Sequence, residues 1–91
     1  MNKKRDSLQV IYDILNVIRE KNGNIKPTHI LYKSNLSHSM MDEYLKDLVA
    51  KNFISEIKTK NGKTYSLKDK GYEFLEKYKT IINLLESFGL R

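Results

Sequence analysis

Leu8, Ile11, Ile14, Leu15 and Ile18 recur at spacings of three and four, while Gln9, Asp13, Asn16, Arg19 and Glu20 fall off that stripe. The periodicity predicts an amphipathic helix from about Ser7 to Lys21. Asp6 or Ser7 can cap it, and Asn22-Gly23-Asn24 offers residues that tolerate a left-handed stop. Pro27 pushes Lys26 out of helical geometry and suits the start of a second helix of roughly two turns, with Ile30 and Leu31 inward. Tyr32, at helical spacing in this segment, is expected in the core, with a hydroxyl contact to a nucleic-acid backbone as the alternative. Asn35-Leu36-Ser37 reads as a tight turn, with Ser37 as the next N-cap. From His38 to Asn52 the apolar positions are Met40 or Met41, Tyr44, Leu45, Leu48 and Val49, a third helical pattern.

The period then changes from helical to twofold. Residues 53–59 alternate imperfectly, because Ile54 and Ile57 are out of phase, and residues 64–68 alternate cleanly. Asn61-Gly62 between two such runs is a strong hairpin signal. From Asp69 to about Phe88 a long helix carries Phe74, Leu75, Tyr78, Ile81, Ile82, Leu85 and Phe88. The order helix, helix, helix, hairpin, long helix places the chain in the α+β class, mostly α. It predicts a winged helix-turn-helix over residues 1–68 and a C-terminal helix over residues 69–91. In such an arrangement the third helix is sized for a major groove, and the hairpin tip reaches the neighbouring backbone.

Composition narrows the function classes. Ninety-one residues make one small domain, and the absence of cysteine excludes disulfide frameworks, zinc ribbons and thiol catalysis. Apolar runs fall far short of the roughly 18 residues needed to span a bilayer, and no hydrophobic segment follows the basic start Met1-Asn2-Lys3-Lys4-Arg5. The expectation is a soluble, cytoplasmic, nucleoid-associated protein. The net charge of +6 is unevenly spread: residues 54–68 hold four basic side chains against one acidic, whereas residues 69–91 balance at four and four. Charge added only for solubility would spread evenly; this distribution points to contact with a polyanion.

Lys58, Lys60 and Lys63 flank Asn61 at the projecting turn and can neutralise phosphates with release of counterions. Lysines also blunt exposed sheet edges, so the turn has a plain structural reading as well. In the third helix His38 and Ser39 occupy the first turn, where base-edge and phosphate contacts originate, and Lys46 lies on the same outward face. Asp42 and Glu43 share that face and fit a solvated surface better than a groove, and His38 and Ser39 read equally well as an ordinary solvent face. The second helix contributes Lys26, Thr28, His29 and Lys33. Lys26 and Thr28 beside the helix N-terminus can grip a phosphate, although Thr28 is equally explained as an N-cap. Lys3, Lys4 and Arg5 read either as a basic arm or as a solvated terminus.

In the last helix Leu75, Tyr78, Ile82 and Leu85 repeat at three, four and three, a short coiled-coil seam, and Phe74, Ile81 and Phe88 form an adjacent stripe. One small domain covers only one face of such a helix. Pairing with a second copy through Leu75, Tyr78, Ile82, Leu85 and Phe88 is the economical outcome, and folding back of both stripes is the alternative. Catalysis finds no support: there are two histidines, and no phosphate loop, nucleophile triad or metal-ligand spacing. No cofactor, metal, membrane or small-molecule substrate is implied.

The stretch from Thr28 to Ser37, continued by Tyr44-Leu45, Leu48 and Asn52-Phe53-Ile54, resembles the archaeal winged-helix family of small basic DNA-binding proteins known from Sulfolobus. Tyr65-Ser66-Leu67-Lys68-Asp69-Lys70-Gly71 is similar to the hairpin-to-helix junction of winged-helix regulators more widely. The resemblance spans roughly residues 7–78. It implies C-terminal helices paired as an antiparallel coiled coil, and binding of double-stranded DNA in a regulatory or chromatin-like role. Lys68 stands where many such junctions have a threonine cap, which assigns the cap to Asp69. The rival reading is a winged helix used for protein docking, which Asp42 and Glu43 would suit.

Overall fold

Asp6 turns its carboxylate back onto the amide of Gln9, whose N–H donates to Oδ1 at 2.8 Å, and so satisfies one of the free donors at the start of α1 (Ser7–Glu20). The structure is a computed structural model that describes residues 6–21 and 24–90; the anticipated basic arm at Lys3, Lys4 and Arg5 and the stop at Asn22-Gly23 lie outside them. α1 buries Val10, Ile14, Leu15 and Ile18. Val10 takes the place expected for Leu8, which is 46% exposed, so the buried stripe is rotated toward Val10.

Pro27 occupies the first position of α2 (Pro27–Ser34), where its missing N–H is not needed, and Lys26 is the extended cap residue. Thr28 is therefore inside the helix rather than capping it. Asn35 adopts the left-handed conformation at φ 55° and ends the helix, its N–H donating to the Leu31 carbonyl at 3.0 Å. Two residues later the Ser37 hydroxyl accepts from the Met40 N–H and opens α3 (His38–Ala50). α3 buries Met41, Leu45 and Leu48 and closes on Asn52 at φ 67°, with the Phe53 N–H returning to the Leu48 carbonyl at 2.9 Å.

β1 (Ile54–Thr59) and β2 (Gly62–Leu67) form an antiparallel hairpin whose register runs from Ile54 opposite Leu67 to Thr59 opposite Gly62. The two loop residues are Lys60 and Asn61, and the left-handed position falls on Gly62 at φ 128°. Ile25 adds a single bridge on the outer edge of β2, exchanging two backbone hydrogen bonds with Tyr65. One face of the hairpin carries Ile54, Glu56 and Lys58 opposite Leu67, Tyr65 and Lys63. It passes from buried at its base to charged at its tip.

α4 (Asp69–Ser87) starts without a side-chain cap: Lys68, not Asp69, holds the cap position, and Asp69 contributes a negative charge to the first turn. The Lys68 N–H donates to the Phe53 carbonyl at 3.0 Å, and Gly71 lies buried against that same carbonyl. Leu75 and Tyr78, expected on an intermolecular seam, are instead buried within the chain. α1 covers them: the Tyr78 hydroxyl donates to Gln9 Oε1 at 2.9 Å, and its ring stacks on Tyr12 at 4.5 Å between centroids. Beyond Tyr78 the helix becomes more exposed. Ile82 and Leu85 are half-buried, while Ile81 (48%), Leu84 (56%) and Phe88 (72%) are exposed.

Candidate nucleic-acid interface

The outer half of the hairpin exposes Lys58, Lys60, Asn61 and Lys63, and α3 exposes His38, Ser39, Asp42, Glu43 and Lys46. Both sets follow from the burial of their neighbours. Met41, Leu45 and Leu48 draw one side of α3 into the core and turn the other side out, and Tyr65 does the same for the hairpin. Between them lies a cleft of about 410 Å³, with Asp42 and Lys46 on the α3 wall and Glu56, Lys63 and Tyr65 on the hairpin wall.

Charge in this cleft is organised by Glu56. Its Oε2 accepts from the Tyr65 hydroxyl at 2.9 Å and stands 3.3 Å from Lys63 Nζ. The Tyr65 hydrogen bond, reinforced by Lys63, holds the Glu56 carboxyl below the usual glutamate range. Burial raises the Tyr65 phenol well above its ordinary value, and the carboxylates of Glu56 and Asp42 add to the effect. The hydroxyl therefore stays protonated and donates. Of the three hairpin lysines, Lys58 and Lys60 have no carboxylate within ion-pair distance among the described residues, whereas Lys63 is engaged.

A second, shallower cleft of about 680 Å³ lies beside the outer edge of β2, where Lys26 and Thr28 meet Lys21, His29 and Tyr32. Lys21 is not among the anticipated contacts, and Tyr32 is one only as the alternative to a place in the core. Tyr32 is 86% exposed, which corrects its expected place in the core. Ile30 and Ser34 take the buried side of α2 and turn Tyr32 to the opposite side, beside Thr28. Lys33 sits outside both clefts. Among the described residues no group of three or more His, Asp or Glu is placed to hold a metal ion, and no helix is long and apolar enough to cross a membrane.

Residues 4–86 match the winged helix-turn-helix family. The chain is a winged helix-turn-helix protein. An uncharacterized protein of Methanocaldococcus jannaschii is 33% identical over 82 residues, which cover 90% of this chain and 36% of that protein, so the chain spans about a third of its relative's length. Among solved structures the fold is similar to Sso10a-2, a DNA-binding protein from Sulfolobus solfataricus, with a TM-score of 0.80 at 19% identity over 92% of this chain and 85% of that one. It is also similar to a winged-helix DNA-binding protein of STIV, with a TM-score of 0.73 at 18% identity over 86% and 91% of the two chains.

In this winged helix-turn-helix, α2 and α3 are the helix-turn-helix and the hairpin is the wing. Lys58 and Lys63 stand directly opposite each other on one face of the wing. Like charges so placed destabilise a sheet, and threonine suits a strand better than lysine. Lys58→Thr should therefore raise stability by about 0.5 kcal/mol, read as a higher midpoint in thermal unfolding. An unchanged or lower midpoint would mean that the two ammonium groups do not repel at this register.

Proposed function

We propose that the protein binds double-stranded DNA as a homodimer, chiefly through phosphates, in a regulatory or chromatin-like role. The observation that carries this reading is the placement of charge. The basic excess of residues 54–68 lies on an exposed wing beside an exposed α3, the two elements that reach a duplex in this fold. Lys58, Lys60, Lys63 and Asn61 contact backbone from the wing. Lys26, Thr28, Lys33, His38, Ser39 and Lys46 contact it around the helix-turn-helix. The carboxylates Asp42 and Glu43 on the outer face of α3 leave little capacity for deep base reading, which makes the binding largely independent of sequence.

The twofold arises at the outer half of α4. Ile81, Leu84 and Phe88 make an apolar stripe beside half-buried Ile82 and Leu85, in a segment of balanced charge that does not oppose pairing with a second copy. Leu75 and Tyr78 are occupied within the chain, so pairing begins above them and is shorter than a seam spanning the whole helix.

Titration of the protein into a fluorescent random-sequence duplex at several salt concentrations, followed by anisotropy, tests the reading. Affinity should fall steeply with log salt, with a slope of about −0.9 per phosphate neutralised. Lys60→Ala together with Lys63→Ala should weaken binding to all sequences alike and lower the slope by about 1 per lost contact. Unchanged affinity in that double variant removes the wing from the interface. No binding by the parent protein even at low salt leaves protein docking, which Asp42 and Glu43 suit, as the function of this surface.

A further inference from the structure

Lys63 is the wing lysine that lines the cleft between the wing and α3, and it stands there already paired. Glu56, on the opposite strand, is fixed by the hydroxyl of Tyr65 at 2.9 Å and holds the Lys63 ammonium at 3.3 Å. Tyr65 is itself buried and tied through its backbone to Ile25, so the carboxylate rests on a rigid support rather than on a mobile side chain. Asp42 brings a second negative charge to the facing wall. A duplex phosphate arriving at Lys63 thus meets a carboxylate in the place a counterion would hold, and that carboxylate cannot diffuse away when the phosphate docks.

We propose that Glu56 is a positioning residue that competes with the duplex for Lys63 and weakens that contact without abolishing it, so that the wing binds weakly and exchanges quickly. The inference rests on the DNA reading above and names the group that tunes it. Its physical basis is the difference between a mobile and a tethered anion. A free counterion released from Lys63 adds favourable entropy to binding, whereas Glu56 stays behind and repels the incoming phosphate. Protein and duplex then exchange fewer ions than the count of wing lysines suggests.

Glu56→Gln isolates this effect. The amide oxygen still accepts from the Tyr65 hydroxyl and the side chain keeps its shape, while the charge disappears. The variant should bind a random-sequence duplex about fivefold more tightly than the parent at low salt, with the gain shrinking as salt rises, and the salt slope should steepen by a fraction of one contact. In the background of Lys63→Ala the same substitution should lose that gain, because the residue it acts through is gone. A role for Glu56 in folding alone would shift the melting midpoint and leave the slope unchanged. The proposal is overturned if Glu56→Gln binds with parental affinity and slope, or if its gain survives intact without Lys63. Absence of duplex binding by the parent protein at the lowest salt would instead remove the DNA reading itself, and this inference with it.

Discussion

Gly71→Ala should lower the melting temperature by about 10–20 °C, although alanine is the better helix former. A Cβ at this position would lie 2.5 Å from the Phe53 carbonyl oxygen and 3.0 Å from Leu67 Cδ2. The carbonyl has no room to yield, since it accepts the Lys68 N–H that starts α4, and the Phe53 N–H is itself bonded to Leu48. Relief requires α4 to move off the base of the wing, which separates the elements that Phe53, Leu67 and Phe74 join. Overpacking of about 3 kcal/mol or somewhat more, less the roughly 1 kcal/mol gained in helix propensity, leaves a net loss of about 2–3 kcal/mol. Thermal unfolding followed by circular dichroism measures it. A variant melting at or above the parent would show that the junction has slack the structure does not display.

The second large effect lies at the far end of the same helix. Leu84→Glu combined with Phe88→Glu should turn the proposed dimer into a monomer and weaken duplex binding by about 100-fold, the loss expected when two linked contacts become one. Both side chains are more than half exposed, so the single chain loses little packing and its fold persists. Sedimentation gives the mass and anisotropy gives the affinity. Retained dimerisation would move the interface elsewhere on the surface. A monomeric variant with parental affinity would mean that one wing suffices.

Where local chemistry dominates, the sequence was a good guide. The Ser37 cap, the turn at Asn35, the hairpin around Asn61 and the outward face of α3 each depend on a few neighbouring residues, and each is found as expected. Departures arise where tertiary contacts choose between equivalent local options. The second helix offers the core either Tyr32 or the small Ser34; the space beneath it takes Ser34, and no hydropathy pattern reports the size of that space. Leu75 and Tyr78 have the spacing of a seam, but α1 lies over them, with Gln9 and Tyr12 supplying a hydrogen bond and a stacking partner. Val10 displaces Leu8 for a similar reason. The candidate site shows the same limit. Wing lysines are visible as a charge run, whereas the link between Lys63 and Glu56 exists only in one strand register. With Glu56 opposite Tyr65, Lys63 falls on the diagonal; a shift of one residue would place the two on opposite faces.

The buried residues of α4 and its exposed stripe belong to one unbroken helix, with Gly71, Leu75 and Tyr78 below, Ile81 and Leu84 above, and Phe88 at its C-cap. Each residue of a helix turns the chain by 100° and advances it by about 1.5 Å. The helix therefore acts as a keyed shaft: whatever seats on the upper stripe is held at a set rotation about the axis relative to the wing. A residue added between Tyr78 and Ile81 would leave both faces chemically intact and turn one against the other by more than a quarter of a revolution. The orientation of this winged helix toward anything seated on that stripe is thus written in the count of residues between two stripes, independently of how tightly either one binds.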